Sequence, residues 1–305
     1  MRLNKINRLI QNILLYIGIQ IKKVDNFAVK PNKIVQIIIG KYELEINSRN
    51  PISIHYKKFP NYGIEIGRIS KIIANKYPSM SIIDIGANIG DTAAIIRNQV
   101  DNEIICIEGD EYCFNFLEKN IKQLKKTLAF RQFLGEKNEE MNVKIEKSKW
   151  NTTIIPQAGK SKETLDIKTL DSFLKKNLGD VKSKFIKIDT EGFDVKIIRG
   201  GIDFIKNNKP VIFFEYNRKN MNKINEKGID TIHILRDLGY NNTLFYEDGG
   251  NFIISSNLNN DQVLNQMHNW INNSSSVDYF DIAIFHSEDN DISMQLIEIE
   301  MQKNN

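Results

Sequence analysis

The segment from Asp84 to Asp91 has residue types and spacing that suit a ligand-binding turn. Asp84 lies within an apolar run, and Gly86 and Gly90 follow it with Asn88 between them. Glycines at a strand-to-helix turn permit unusual dihedral angles and a close approach of the backbone to a ligand. A dinucleotide-binding turn carries a further glycine where Asn88 stands, because the backbone must approach a pyrophosphate closely. The turn therefore predicts a ligand site and disfavours NAD.

Acidic residues accompany this turn, and their charge indicates the kind of ligand. Asp84 is badly placed for a phosphate but suits a ligand that carries a sulfonium and an ammonium group. Glu108 ends the next apolar run, where a carboxylate can accept hydrogen bonds from both hydroxyls of a ribose. Asp110 is expected near the adenine. The prediction is S-adenosylmethionine as cofactor, bound by Asp84, Gly86, Asn88, Gly90, Glu108 and Asp110.

A second acidic group follows the apolar run from Phe185 to Ile188. Methyl transfer from a sulfonium is an in-line displacement that needs alignment, exclusion of water and removal of a proton. Asp189 is predicted to be the catalytic base or to orient the acceptor, and Glu191 to bind the acceptor hydroxyl or the amino-acid end of the cofactor. Alternatively, Asp189 caps the following helix and Glu191 is only favourably placed at its N-terminus. Glu215 faces either the pocket or a basic residue such as Lys187.

The histidines and the nearby aromatic residues carry less information. None of the four histidines has a partner at metal-ligand spacing, and no metal site is predicted: they are His55, His233, His268 and His286. His55 precedes an aromatic group formed by Tyr56, Phe59 and Tyr62, which is either a sugar-stacking wall or an ordinary packing cluster.

Strands that alternate with helices must position these residues. Apolar runs around residues 81–85, 103–107, 184–188 and 210–216 predict strands, and the segments between them have features of helices. This alternation predicts parallel βαβ units in one doubly wound α/β sheet. A hairpin is predicted around Gly249 and Gly250, before a final strand over residues 279–285.

From Ile64 to Phe285 the chain resembles the FkbM-type methyltransferase family. The resemblance is carried by DIGANIGDT at 84–92, Glu108, TLDSF at 169–173, FIKIDTEGF at 185–193, RGG at 199–201, PVIFFE at 210–215 and LGY at 238–240. It implies a Rossmann-like class I methyltransferase fold: a mostly parallel seven-stranded sheet with an antiparallel last strand and helices on both faces. It also implies S-adenosylmethionine-dependent O-methylation of a hydroxyl, often on a sugar or a polyketide. Gly109 departs from the family, where proline is common.

The predicted organisation places a methyltransferase domain at residues 64–286, with an irregular insertion or an irregular hairpin at 137–162. An amphipathic helix is predicted for residues 1–24, a small β-rich preamble for 25–63 and a C-terminal tail for 287–305. The N-terminal helix packs on the domain or a partner chain, or makes peripheral membrane contact through its basic face. No small-residue cleavage site follows it, so a signal peptide is not expected.

Composition sets the broad class of the protein. The formal net charge is only +4 and the basic residues are scattered, so a nucleic-acid partner is not predicted. Two cysteines do not indicate a disulfide scaffold, which favours a reducing, cytoplasmic setting.

The leading hypothesis is an S-adenosylmethionine-dependent O-methyltransferase that acts on a sugar, a glycan or another small molecule. The alternatives are a non-catalytic, partner-binding protein with the same fold and an NAD-dependent dehydrogenase.

Overall fold

The computed structural model describes residues 33–48, 50, 52–59, 61–147, 152–157, 159, 163–274, 277 and 279–303, so the helix predicted for residues 1–24 lies outside it. The strands are β1 (Ile34–Ile39), β2 (Tyr42–Asn47), β3 (Ser81–Ile85), β4 (Ile104–Glu108), β5 (Thr127–Arg131), β6 (Phe133–Gly135), β7 (Glu139–Lys147), β8 (Thr152–Pro156), β9 (Glu163–Thr169), β10 (Ser183–Ile188), β11 (Val211–Tyr216), β12 (Tyr240–Glu247), β13 (Phe252–Asn257) and β14 (Phe280–His286). The helices are α1 (Ile52–Lys58), α2 (Ile64–Lys76), α3 (Asp91–Gln99), α4 (Glu111–Asn120), α5 (Leu170–Leu178), α6 (Asp194–Arg199), α7 (Ile202–Asn208), α8 (Arg218–Lys223), α9 (Ile229–Asp237), α10 (Asp261–Asn273) and α11 (Asn290–Lys303).

The main sheet of the described chain has eight strands in the order β13-β12-β14-β11-β10-β3-β4-β5. From β11 to β5 all neighbours are parallel, whereas β14 is antiparallel to both β11 and β12. The predicted α/β sheet with an antiparallel last strand is therefore confirmed. An eighth strand is present because β13, the second strand of the predicted hairpin, pairs with β12 at the sheet edge.

Apolar residues on both faces of the sheet build two separate cores. In β10, Phe185 packs into one core, and Ile186 and Ile188 pack into the other. Residues i and i+2 of a strand point to the same face of the sheet. A strand that is buried on both faces therefore needs apolar residues at both odd and even positions. Helices α2, α3, α4 and α11 contribute to the first core, and helices α5 to α10 contribute to the second.

Both flanks of the predicted domain pack against it. Hairpin β1–β2, in the predicted preamble, contributes Leu44 and Ile46 to the first core. The predicted C-terminal tail contains helix α11, whose buried Glu300 accepts bidentate hydrogen bonds from Arg68 at 2.8 and 2.9 Å. No described helix is long and apolar enough to cross a membrane.

The region predicted as an insertion or an irregular hairpin, residues 137–162, contributes the antiparallel strands β7 and β8 to a second sheet of order β6-β9-β7-β8. In β7 apolar residues alternate with polar ones, as at Met141 and Val143. Val143 is buried, and the polar residues between these positions concealed a strand with one apolar face.

Candidate active site

A cavity of about 1230 Å³ opens where the parallel strands end. It is lined by the ends of β3, β4, β10 and β11 and by residues at the start of β14. In doubly wound sheets ligands bind beyond the carboxyl ends of the strands, and this cavity has that position. The cavity is therefore the candidate active site.

The turn after β3 is held in left-handed backbone conformations. Gly86, Asn88 and Gly90 have φ values of 73°, 48° and 90°. A Cβ atom at Gly86 would lie 1.8 Å from the carbonyl oxygen of Asp189, so only glycine fits between the ends of β3 and β10. Gly86 and Asn88 line the cavity, and the buried Oδ1 of Asn88 has no hydrogen-bond partner among the described residues.

Glu108 holds the turn and the start of α4 together. Its carboxylate accepts hydrogen bonds from the backbone N–H of Asn88 at 2.9 Å and of Asp110 at 2.7 Å. Burial raises the pKa of Glu108 to about 7, although both N–H donors act in the opposite direction. Each carboxylate oxygen has a further lone pair, so Glu108 can still accept hydrogen bonds from a ligand.

Asp84 does not face the cavity as the sequence reasoning assumed. Its side chain is fully buried, and its Oδ1 lies 3.3 Å from Nζ of Lys187, also buried, on the neighbouring strand. Burial disfavours the charged amine, but the carboxylates of Asp84, Asp189 and Asp91 outweigh this effect and raise the pKa of Lys187. Lys187 therefore supplies the positive charge beside Asp84 that had been assigned to a ligand.

Two other predicted cofactor residues have structural contacts. The Oδ1 atom of Asp110 caps α4 by accepting from the N–H groups of Tyr112 and Cys113 at 2.9 and 3.1 Å, while Asp110 also lines the cavity. Gly90 does not line the cavity; a Cβ atom there would lie 3.1 Å from Leu117 of α4. Gly90 thus permits close packing between the turn and α4.

The predicted catalytic pair lies at the end of β10. The Asp189 side chain is 48% exposed, and its Oδ2 is 3.6 Å from Nζ of Lys187. Asp189 does not cap the next helix, because α6 begins at Asp194, whose carboxylate accepts from the N–H groups of Thr190 and Gly192. Asp194 thus holds the turn that precedes α6, and the helix has no side-chain cap at Phe193.

Glu191 projects into the same end of the cavity from a strained position. Its φ is 56°, and its Oε2 accepts a hydrogen bond from Nδ2 of Asn220 at 2.5 Å. Burial, followed by the nearby charges of Asp189 and Asp194, raises the pKa of Glu191 to about 8.

Glu215 and Asp281 complete an acidic end of the cavity. Glu215 lines the cavity, and its carboxylate approaches those of Asp189 and Glu191 to within 4.8 Å. Burial and these two neighbours raise the pKa of Glu215 well above its usual range. The sequence reasoning missed Asp281; the available signal was a polar residue at the start of an otherwise apolar final strand.

An aromatic group from α1 and the loop after it also lines the cavity. The rings of His55 and Tyr62 lie 4.4 Å apart, and those of Tyr56 and Tyr62 lie 5.7 Å apart. The Tyr56 hydroxyl donates to Asp91 at 3.0 Å, so part of this wall is held by polar contacts.

The model of the methyltransferase FkbM domain matches residues 84–241, just over half of the chain. The chain belongs to the FkbM methyltransferase family. The match covers the glycine turn, Glu108 and the Asp189 segment, and it agrees with the family that the sequence motifs indicated. Membership of this family implies S-adenosylmethionine as the cofactor, as predicted.

Several solved structures are similar to this FkbM-family chain. Methyltransferase FkbM from Methylobacillus flagellatus has 16% identity and a TM-score of 0.38, covering 54% of this chain and 40% of its own length. TYW2 from P. horikoshii, solved in complex with MeSAdo, has 13% identity and a TM-score of 0.39, covering 85% of this chain and 74% of its own. Precorrin-6y C5,15-methyltransferase from Geobacter metallireducens has 13% identity and a TM-score of 0.34, covering 68% of this chain and 81% of its own. No curated protein matches the sequence.

The residues of this FkbM-family site fit a nucleoside cofactor. The side chain of Glu108 and the unpartnered Oδ1 of Asn88 offer acceptors at the mouth of the glycine turn, where a ribose needs them. Lys187 donates to the carbonyl oxygen of Gly86 at 3.2 Å and so stabilises the turn from within the sheet.

Proposed function

We propose that this protein is an S-adenosylmethionine-dependent O-methyltransferase whose acceptor is a hydroxyl of a sugar, a glycan or another small molecule. The observation that carries the proposal is the position of Asp189. This half-exposed carboxylate lies in the same cavity as the Gly86 turn, and its own backbone touches that turn. A base so placed is next to the ligand that the turn binds.

S-adenosylmethionine supplies a methyl group on a positively charged sulfur when it is bound. With the cofactor held by the Gly86 turn and Glu108, Asp189 would accept the proton that the acceptor hydroxyl loses on methylation. Lys187, at 3.6 Å, keeps the Asp189 carboxylate oriented. Glu191, held by Asn220, hydrogen-bonds the acceptor. The aromatic wall offers flat apolar faces that suit the C–H edges of a sugar ring.

The test is the Asp189→Asn variant with a radiolabelled methyl donor and a panel of sugar and other hydroxyl acceptors. We expect turnover to fall by about 10²–10⁴-fold, the usual contribution of a general base. Affinity for adenosylhomocysteine, measured by calorimetry, should stay within about twofold because the glycine turn and Glu108 are intact.

Asp180→Asn is the matched control, because Asp180 is an exposed carboxylate outside the cavity. Equal losses of turnover and cofactor affinity in Asp189→Asn would make Asp189 a structural residue. Cofactor binding without turnover on any acceptor, unaffected by the substitution, would favour the non-catalytic partner-binding protein.

A further inference from the structure

We propose that the acidic end of the cavity is a divalent-cation site whose ligands are Asp189, Glu191 and Glu215. One ligand atom from each of these residues lies within 4.8 Å of the others. An ion equidistant from three such oxygens would lie at most about 2.8 Å from each, compared with about 2.3–2.6 Å for Ca²⁺ and about 2.0–2.1 Å for Mg²⁺. Small side-chain movements would therefore complete the coordination.

The buried carboxylate of Glu215 points independently to a ligand. Glu215 is only 5% exposed, it lines the cavity, and its Oε2 has no hydrogen-bond partner among the described residues. A carboxylate removed from water without a partner is costly, and native structures seldom leave one in that state. Among the described residues, no basic side chain forms an ion pair with Glu215, and the nearby Lys187 pairs with Asp84 and Asp189. A bound cation would supply the missing partner.

The other two ligands are already oriented from outside the cluster. Asn220 donates to Oε2 of Glu191 at 2.5 Å, and Lys187 lies 3.6 Å from Oδ2 of Asp189. Outer contacts of this kind fix metal ligands in protein sites. An all-oxygen ligand set suits hard cations such as Mg²⁺, Mn²⁺ and Ca²⁺. The absence of paired histidines in the sequence therefore has no bearing on this site.

This inference rests on the proposed function and deepens it. Three carboxylates fill only part of the six or more positions around such an ion. All three ligand residues line the cavity, so the remaining positions can hold water or the oxygen atoms of the acceptor. Asp189 binds the ion through one oxygen and keeps the other to accept the proton of the acceptor. The cation would thus select acceptors that present oxygen atoms at this end of the cavity and hold them beside the methyl donor.

The experiment measures Mn²⁺ binding by the loss of the free-ion signal in electron paramagnetic resonance, with the full chain and without a methyl donor. Wild-type protein should bind Mn²⁺, and Mg²⁺ should compete. Glu215→Gln should weaken Mn²⁺ binding by at least about tenfold, the lower limit seen when even an outer contact of a metal site is lost. Glu111→Gln, an exposed carboxylate outside the cavity, should bind as wild type does. In EDTA, Glu215→Gln should melt no lower than wild type, because the substitution keeps the size of the side chain and Oε2 of Glu215 has no hydrogen-bond partner to lose among the described residues.

Three results would overturn the cation site. The first is that wild type binds no Mn²⁺ at millimolar concentration, and the second is that Glu215→Gln binds Mn²⁺ as tightly as wild type does. The third is that Glu215→Gln, measured in EDTA, loses affinity for adenosylmethionine but keeps its affinity for adenosylhomocysteine. The last result would assign the cluster to the sulfonium of the cofactor. Adenosylhomocysteine binding to wild type in EDTA is measured in parallel, so failure of the cation site and failure of the proposed function are distinguishable.

Discussion

The buried pair of Asp84 and Lys187 should dominate the stability of the site, and Lys187→Met tests this. The two side chains are 0% and 4% exposed, and their charged atoms are 3.3 Å apart. Neither oxygen of Asp84 has a hydrogen-bond partner among the described residues. The ion pair with Lys187 therefore compensates the buried charge of Asp84. The substitution leaves the aspartate charge buried and without compensation.

The magnitude follows from the distance. At an effective dielectric constant of about 20, unit charges 3.3 Å apart attract by about 5 kcal/mol. Removal of one member of a buried pair commonly costs about 3–5 kcal/mol. We therefore expect Lys187→Met to lower the free energy of unfolding by about 3–5 kcal/mol. The double variant with Asp84→Leu should recover most of this loss and remain within about 1–2 kcal/mol of wild type, because the hydrogen bond to Gly86 is also removed.

Urea unfolding followed by circular dichroism gives the free energies for both variants. Lys184→Met is the matched control on the same strand. Lys184 lies 3.6 Å from Asp289, and Asp289 retains its ion pair with Lys76 at 3.0 Å after the substitution. The loss in free energy of unfolding should therefore not exceed about 1 kcal/mol. A double variant no more stable than Lys187→Met, or a single variant within about 1 kcal/mol of wild type, would refute the reasoning.

Two further predictions concern the cofactor turn. Burial raises the pKa of Glu108 to about 7 and its ionised form is the better acceptor, so adenosylhomocysteine affinity should rise from about pH 6 to about pH 8. Glu108→Gln should lose this pH dependence in calorimetry. If the affinity of both proteins changed equally with pH, Glu108 would not be a ribose ligand. Gly86→Ala should lower the free energy of unfolding in urea by about 2–5 kcal/mol. The new Cβ atom would lie 1.8 Å from the Asp189 carbonyl oxygen, and alanine would also be strained in the left-handed backbone conformation. Gly90→Ala, with Leu117 at 3.1 Å, should lose only about 1–2 kcal/mol, and equal losses would contradict the steric explanation.

The parallel core was predictable because its signals are local. The runs around residues 81–85 and 184–188 are short, apolar and rich in isoleucine, and each is followed by a turn. Strand β7 was not predictable in the same way, because its apolar residues alternate with charged ones and it acquires a buried face only within the second sheet. Tertiary packing decided that segment.

Site residues at the end of a single strand could be predicted from the sequence, whereas a contact between residues of two strands could not. Glu108, Asp189 and Glu191 line the cavity as expected. The pairing of Asp84 with Lys187 depends on the register between β3 and β10, which places the two residues opposite each other. A signal was available: each residue stands two positions before the residue that begins the turn, Gly86 in one case and Asp189 in the other.

The reversed direction of β14 has a consequence for how acceptor preference can change. Its first residues enter the sheet where the parallel strands leave it, so Tyr279 and Asp281 reach the cavity from a connection that carries none of the glycine turn or Glu108. Changes of length or composition just before β14 can therefore reshape this end of the cavity, where we propose that the acceptor binds, while the glycine turn and Glu108 stay unchanged. These two parts of the cavity can therefore change separately in evolution and can be redesigned separately.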